Sequence, residues 1–162
     1  MMPQRFENNK FLRVFLPIYL IVMVLLYSLY LFLEKYRLEQ AKERLPKGNL
    51  TEQDMILMDQ LGKWPMYVEG AFFFIFIVTA VYLMIKYRKN RRHVTFFLVV
   101  NGFLFGGIYL LSFGLSRVLA ITVGNVYQPI IVPTQFLIFL LIYTLLLRRR
   151  ERQDRFVRQF DH

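Results

Sequence analysis

The sequence predicts an all-α, polytopic membrane protein with four transmembrane helices in a small bundle and an external helical hairpin between spans 1 and 2. Two observations support this prediction. Hydrophobic residues make up 56% of the 162 residues and aromatic residues 17%, whereas soluble domains hold roughly 45–50% apolar residues. Four long uncharged stretches carry most of this apolar content. As buried helices of a soluble protein, they would leave almost no polar surface to face water.

Three of the uncharged stretches are long enough to cross a bilayer, and the fourth becomes long enough when it is extended past one acidic residue. A helix rises about 1.5 Å per residue, so roughly 30 Å of hydrocarbon takes about 20 residues. The stretches are 14–33, 94–116, 118–147 and 70–85, the last extending back to Trp64 if Glu69 is tolerated. We therefore expect a single membrane domain over 1–162, with spans at about 14–33, 66–86, 94–116 and 129–147. The first stretch is too long for the core of a signal peptide and has no small-residue cleavage site after it, so we expect it to be retained.

The distribution of Lys and Arg predicts the orientation. Three precede the first span, five without an acidic residue follow the second, and six follow the fourth. The opposite side holds seven, and six acidic residues accompany the six basic ones of 34–63. Because loops rich in Lys and Arg stay in the cytoplasm, we expect both termini and a tail at 148–162 to be cytoplasmic, in a bacterial plasma membrane.

The basic residues that flank the spans are interpreted as topology anchors. A nucleic-acid interface would spread them over a face with polar or aromatic partners, whereas YRKNRR lies between two apolar stretches, so we expect no nucleic acid as partner. The anchors also suit anionic lipid headgroups at the cytoplasmic face, at about 1 kcal/mol for each basic residue. They are Lys86, Arg88, Lys89, Arg91, Arg92, Arg148, Arg149 and Arg150.

Residues 34–63 are predicted to form the external helical hairpin. The first helix should continue through EKYRLEQAKERL, where opposite charges lie three or four residues apart, until Pro46 and Gly48. A second helix should begin after Thr51, where Asp54 completes a capping box, and end at Gly62. The hairpin is either a docking surface for a partner or a simple connector.

The third and fourth stretches carry signals for helix packing. Gly102 and Gly106 form a GxxxG motif, which lets a helix approach a sister helix of the same chain or a second copy. Asn101 is expected to form an interhelical hydrogen bond rather than bind a ligand. We expect a loop at about 118–128, and Pro133 then frees a carbonyl that polar side chains must satisfy.

A polar cluster is expected near the outer boundary of the membrane, as a candidate binding site. Glu69 and Arg117 have opposite charges on neighbouring elements, so they either pair or reach the interface separately. The remaining members lie around the proline-disturbed start of the fourth span. The predicted cluster is Glu69, Arg117, Asn125, Gln128 and Gln135.

Several classes of small membrane enzyme are disfavoured. In size and topology the chain resembles the lipoprotein signal peptidases, which use two aspartates at the membrane, and the disulfide-forming quinone reductases, which need cysteine pairs. The chain has no cysteine, and none of its four aspartates lies in or borders a predicted span. His93 lies in the basic loop and His162 at the chain end. We therefore expect no catalytic residue, metal site or cofactor.

Three classes of function fit these patterns. The first is a non-catalytic accessory subunit, assembly factor or regulator of a membrane complex, whose partners are the lipid bilayer and another membrane protein or a second copy. The alternative is a small oligomeric transporter or channel. The third is a lipid-directed enzyme with Glu69 as base and Arg117 as a phosphate ligand.

Overall fold

The computed structural model describes residues 14–44, 51–87 and 92–160, apart from the side chains of residues 148 and 151–160. The regular elements within these ranges are four helices: α1 (Leu16–Arg44), α2 (Glu52–Lys86), α3 (Arg92–Leu119) and α4 (Val123–Phe160). Each is long and apolar enough to cross a membrane, α4 through Val123–Leu147. The prediction of an all-helical chain with four such helices is confirmed, and it fits an integral multi-pass membrane protein.

The helices pack around a core of aromatic side chains. The most extensive contacts join α1 to α2 and α3 to α4, and α2 also contacts α4. At the centre, the Phe76 ring stacks on Phe97 at 6.2 Å between centroids and meets Phe105 edge-on at 5.4 Å. Such ring pairs stabilise a core by about 0.5–1.5 kcal/mol beyond the area they bury.

A buried polar pair also crosses this core. The Tyr19 hydroxyl on α1 donates to Oδ1 of Asn101 on α3 at 2.7 Å, and both side chains are buried. The expected interhelical hydrogen bond of Asn101 is thus confirmed. An unpartnered amide in an apolar interior is costly, so this bond favours one register between the two helices.

The capping box at the start of α2 forms as predicted. The Thr51 hydroxyl accepts from the Asp54 amide, and the Asp54 carboxylate accepts from the Thr51 amide, both at 3.2 Å. This satisfies donors that the first helical turn leaves open. The first helix runs past Leu33 to Arg44, also as predicted. Pro46, Gly48 and the residues between them lie outside the described residues.

The predicted helix end at Gly62 is wrong, because α2 continues through Gly62 and Pro65 to Lys86. A glycine inside a helix costs only about 1 kcal/mol relative to alanine. Leu61 and Pro65 are buried on the same face, one turn apart. Burial of this face offsets the local helix-breaking preferences.

The predicted loop at about 118–128 is also wrong, because α4 already begins at Val123. Ala120 adopts a left-handed conformation with φ of 55°, and the Ile121 amide donates to the Ser116 carbonyl at 3.2 Å. This arrangement is a Schellman cap, which ends α3 and reverses the chain within three residues. The prolines that suggested a later start instead lie inside α4.

Candidate functional site

Polar side chains of α1 form a stripe on one helix face where its apolar stretch ends. Tyr27, Tyr30, Glu34 and Arg37 are spaced by three or four residues, which places them on the same side of the helix. Tyr27, Tyr30 and Glu34 are buried, and Glu34 is only 3% exposed. The stripe faces the first turns of α4, near the α3–α4 connection. We call this region the hairpin end, because the α1–α2 hairpin extends beyond it.

The two tyrosines satisfy backbone carbonyls at the start of α4. The Tyr30 hydroxyl donates to the Asn125 carbonyl at 2.9 Å, and the Tyr27 hydroxyl to the Val126 carbonyl at 3.0 Å. Four residues after Asn125 stands Pro129, which has no amide hydrogen to donate to that carbonyl. Tyr30 therefore provides the hydrogen bond that Pro129 cannot. The sequence predicted this kind of compensation for Pro133, and the described contact serves Pro129.

Glu34 is the charged centre of the region. Its carboxylate accepts from Nε of Arg37 at 2.9 Å, from the Nη2 of the same guanidinium, and from the side-chain amide of Asn125. Arg37 lies just beyond the apolar stretch, and its hydrogen bond to Glu34 raises the pKa of the guanidinium. With three donors on a carboxylate that is almost fully buried, the oxygens of Glu34 are engaged by neighbouring side chains of the protein itself. Glu34 therefore links α1 to α4 through its hydrogen bond with Asn125.

A second carboxylate links α2 to the same part of α4. Oε2 of Glu69 accepts from Nε2 of Gln128 at 3.0 Å. Glu69 and Arg117 do not form an ion pair in the described structure, where the ion pairs are Lys35–Glu39, Arg37–Glu34, Arg44–Asp54 and Lys63–Asp59. Arg117 is exposed near the end of α3.

The predicted polar cluster is therefore only partly assembled. Glu69 and Gln128 meet, and Asn125 joins the region through Glu34. Within the described residues, neither Arg117 nor the exposed Gln135 hydrogen-bonds to them. The hairpin-end cluster consists of Tyr27, Tyr30, Glu34, Arg37, Glu69, Asn125 and Gln128.

Sequence reasoning missed the α1 members of this cluster. Glu34 directly follows the first apolar stretch, where the sequence alone presents it as one of the six acidic residues of 34–63. A carboxylate one turn before an arginine and one turn after a tyrosine is a usable signal, since the three share a helix face. The sequence does not show that α4 covers that face.

The glycine motif contributes little to packing within the chain. A Cβ built on Gly102 would meet Leu137 of α4 at an ordinary 3.8 Å, and one built on Gly106 would meet nothing within 4 Å. The first glycine thus lies beside α4, and the second is exposed. Among the described residues, no other helix backbone approaches closely at both glycines.

The predicted topology anchors are only partly described. Lys86, Arg92, Arg149 and Arg150 are exposed. Arg88, Lys89 and Arg91 lie outside the described residues, as does the Arg148 side chain. In the described parts of the chain, no group of three His, Cys, Asp or Glu side chains has the geometry of a metal site.

The fold and the hairpin-end cluster define the class of protein. It is an α-helical chain with four helices long enough to span a membrane, and side-chain hydrogen bonds at one end join α1 and α2 to α4. In comparisons with protein-family models, curated proteins and solved structures, none matches this chain.

Proposed function

We propose that the chain is a four-span membrane protein that acts non-catalytically, as an accessory subunit, assembly factor or regulator of a membrane complex. In this proposal the helices form a membrane bundle, residues 34–63 project from the outer face, and both termini are cytoplasmic. One observation carries the proposal. The buried carboxylate of Glu34 accepts hydrogen bonds from Arg37 and Asn125 and so links two helices. A catalytic carboxylate would instead be accessible to a substrate.

The position of these bonds supports a rigid projecting hairpin. Glu34 lies where α1 leaves its apolar stretch, so its bonds to α4 hold the base of the projecting segment. Further along, Arg44 near the end of α1 pairs with Asp54 at the start of α2. The first arm is thus held to α4 at its base and to the second arm at its tip, which lowers the entropy lost when a partner binds.

The exposed surface of the second arm supports a protein partner. Met55 and Ile56 are 57% and 54% exposed, and Trp64, Met66 and Tyr67 continue along α2 with similar exposure. Methionine and aromatic residues are enriched in protein interfaces relative to the remaining surface. We therefore assign this stretch of α2 as the docking surface for another membrane protein.

The test is a pull-down of the tagged full chain from its native membrane in a gentle detergent, with mass measurement of every retained protein. A stoichiometric second protein is expected with the wild type, and it should be lost when Met55 and Ile56 are both replaced by serine. The control replaces the exposed Gln53 and Gln60 of the same arm by serine and should retain the partner. Retention of only further copies of the chain would instead favour an oligomeric transporter. A partner that stays bound to the Met55/Ile56 variant would contradict the docking surface.

A further inference from the structure

A large groove separates α1 from α2 at the opposite end from the hairpin-end cluster. Its volume is about 910 Å³, within the roughly 300–1,000 Å³ of typical small-molecule sites. Ile18 and Val22 form part of the α1 wall, and Ile75 and Thr79 part of the α2 wall. The lining is mainly apolar, so the groove suits a hydrocarbon ligand.

The length of the groove matches one membrane leaflet. Its lining on α2 runs from Ile75 to Lys86, a distance of about 16 Å at the helical rise. The hydrocarbon of a bilayer is roughly 30 Å thick, so one leaflet contributes about half of that. An acyl chain with its headgroup beside Lys86 would therefore run along the whole groove.

The mouth of the groove holds a fixed positive charge. The Lys86 ammonium donates to the Tyr82 hydroxyl at 3.1 Å and lies 5.4 and 5.7 Å from the ring centroids of Tyr82 and Tyr87. These contacts hold the ammonium beside the opening of the groove. An ammonium group is a charged donor whose hydrogen bond a phosphate oxygen can accept. In the sequence, four more basic residues follow within 88–92, which raises the positive potential at this end.

We propose that this groove binds one anionic phospholipid, with the headgroup phosphate on Lys86 and one acyl chain between α1 and α2. Charge complementarity selects this occupant. A zwitterionic lipid fills the same space but adds its own positive charge at the mouth. A second copy of the chain has a net charge of +10, so it carries no excess of negative charge to complement this basic end. The site is independent of partner docking at the hairpin, so either proposal stands if the other fails.

The test uses the purified full chain in nanodiscs that contain equal amounts of phosphatidylglycerol and phosphatidylcholine with identical acyl chains. One lipid at a time carries a photoreactive diazirine on its acyl chain, and labelled peptides are mapped by mass spectrometry. Phosphatidylglycerol should label the groove-lining segments of α1 and α2 preferentially. Lys86→Gln should lower the preference for phosphatidylglycerol over phosphatidylcholine about fivefold, the factor for roughly 1 kcal/mol per basic residue at an anionic surface. Lys42→Gln, which changes an exposed basic residue that neither lines the groove nor belongs to the topology anchors, should leave the preference unchanged.

A matched pair of variants tests the acyl-chain part of the site. Ile18 and Ile21 lie on the same helix and are 56% and 59% exposed, but only Ile18 lines the groove. Ile18→Trp should reduce labelling of the groove several-fold, and Ile21→Trp should not. Equal effects of both variants would overturn the proposal, as would label spread evenly over all lipid-facing surfaces or a crosslink to a second copy at this groove. If a variant does not fold, the map of labelled peptides in the wild type still shows whether phosphatidylglycerol occupies the groove.

Discussion

The strongest prediction concerns the coupling between Glu34 and Asn125, which joins α1 to α4. Glu34→Ala removes a carboxylate that is 3% exposed and accepts from both Arg37 and Asn125. Hydrogen bonds to charged groups stabilise proteins by about 1.5–3 kcal/mol, whereas interhelical hydrogen bonds in membranes average about 0.6 kcal/mol with a maximum near 1.7. Arg37 is about one-third exposed, so it can turn to water when Glu34 is lost. We therefore expect Glu34→Ala to lower the free energy of unfolding by about 2 kcal/mol, of which about 1 kcal/mol is coupling to Asn125.

A double-mutant cycle measures this coupling. The full chain in mixed micelles is unfolded by titration with sodium dodecyl sulfate and followed by far-ultraviolet circular dichroism, for Glu34→Ala, Asn125→Ala and both together. The control cycle uses Lys35 and Glu39 on the same helix, 3.7 Å apart and 43% and 57% exposed. Such a pair should couple by no more than about 0.5 kcal/mol. A Glu34–Asn125 coupling free energy no larger than that of the control pair would refute the role of Glu34 in linking α1 to α4.

Three further predictions follow from other contacts. Tyr30→Phe should lower the free energy of unfolding by about 1 kcal/mol in the same assay, because it removes the donor to the Asn125 carbonyl. Tyr36→Phe, at an exposed position, is the control. Equal losses in the two variants would contradict the role of Tyr30 in compensating for Pro129. Hydrogen bonds, first from the Thr51 side chain and then from Arg44, lower the pKa of Asp54 to about 2. The capping box should therefore contribute stability above about pH 4 and lose it as pH falls towards 2. Asp54→Asn should remove that part of the acid dependence of helix content, and an unchanged acid titration would contradict it. Finally, a reporter in the α1–α2 connection should read external and one at the carboxyl terminus cytoplasmic; the reverse would overturn the predicted orientation.

Local features of the fold could be predicted because the signals lie close together in the sequence. The number of helices follows from the length of the apolar stretches, and the capping box follows from Thr51 and Asp54 alone. Asn101 was expected to bond to another helix because an isolated amide among apolar residues needs a partner. The identity of that partner, Tyr19, required the packed structure.

The wrong helix boundaries have a common cause. Gly62, Pro129 and Pro133 are breaking signals by local preference, yet each lies inside a continuous helix. For Pro129 the compensation is visible, because Tyr30 on another helix donates to the carbonyl that the proline leaves free. Local preference is a weak guide where a distant side chain can supply the missing bond.

The sequence by itself determined that the chain is helical, that four helices can cross a membrane, and that polar residues gather near the start of the fourth. Apolar length, charge distribution and capping are properties of neighbouring residues, so they can be read along the chain. The tertiary structure decided which polar groups meet: Asn125 binds Glu34, and Gln128 binds Glu69, while Arg117 remains exposed at the end of α3. The physical reason is that a buried polar group must find a partner on whichever helix packs against it, and that neighbour is set by side-chain packing across the whole core.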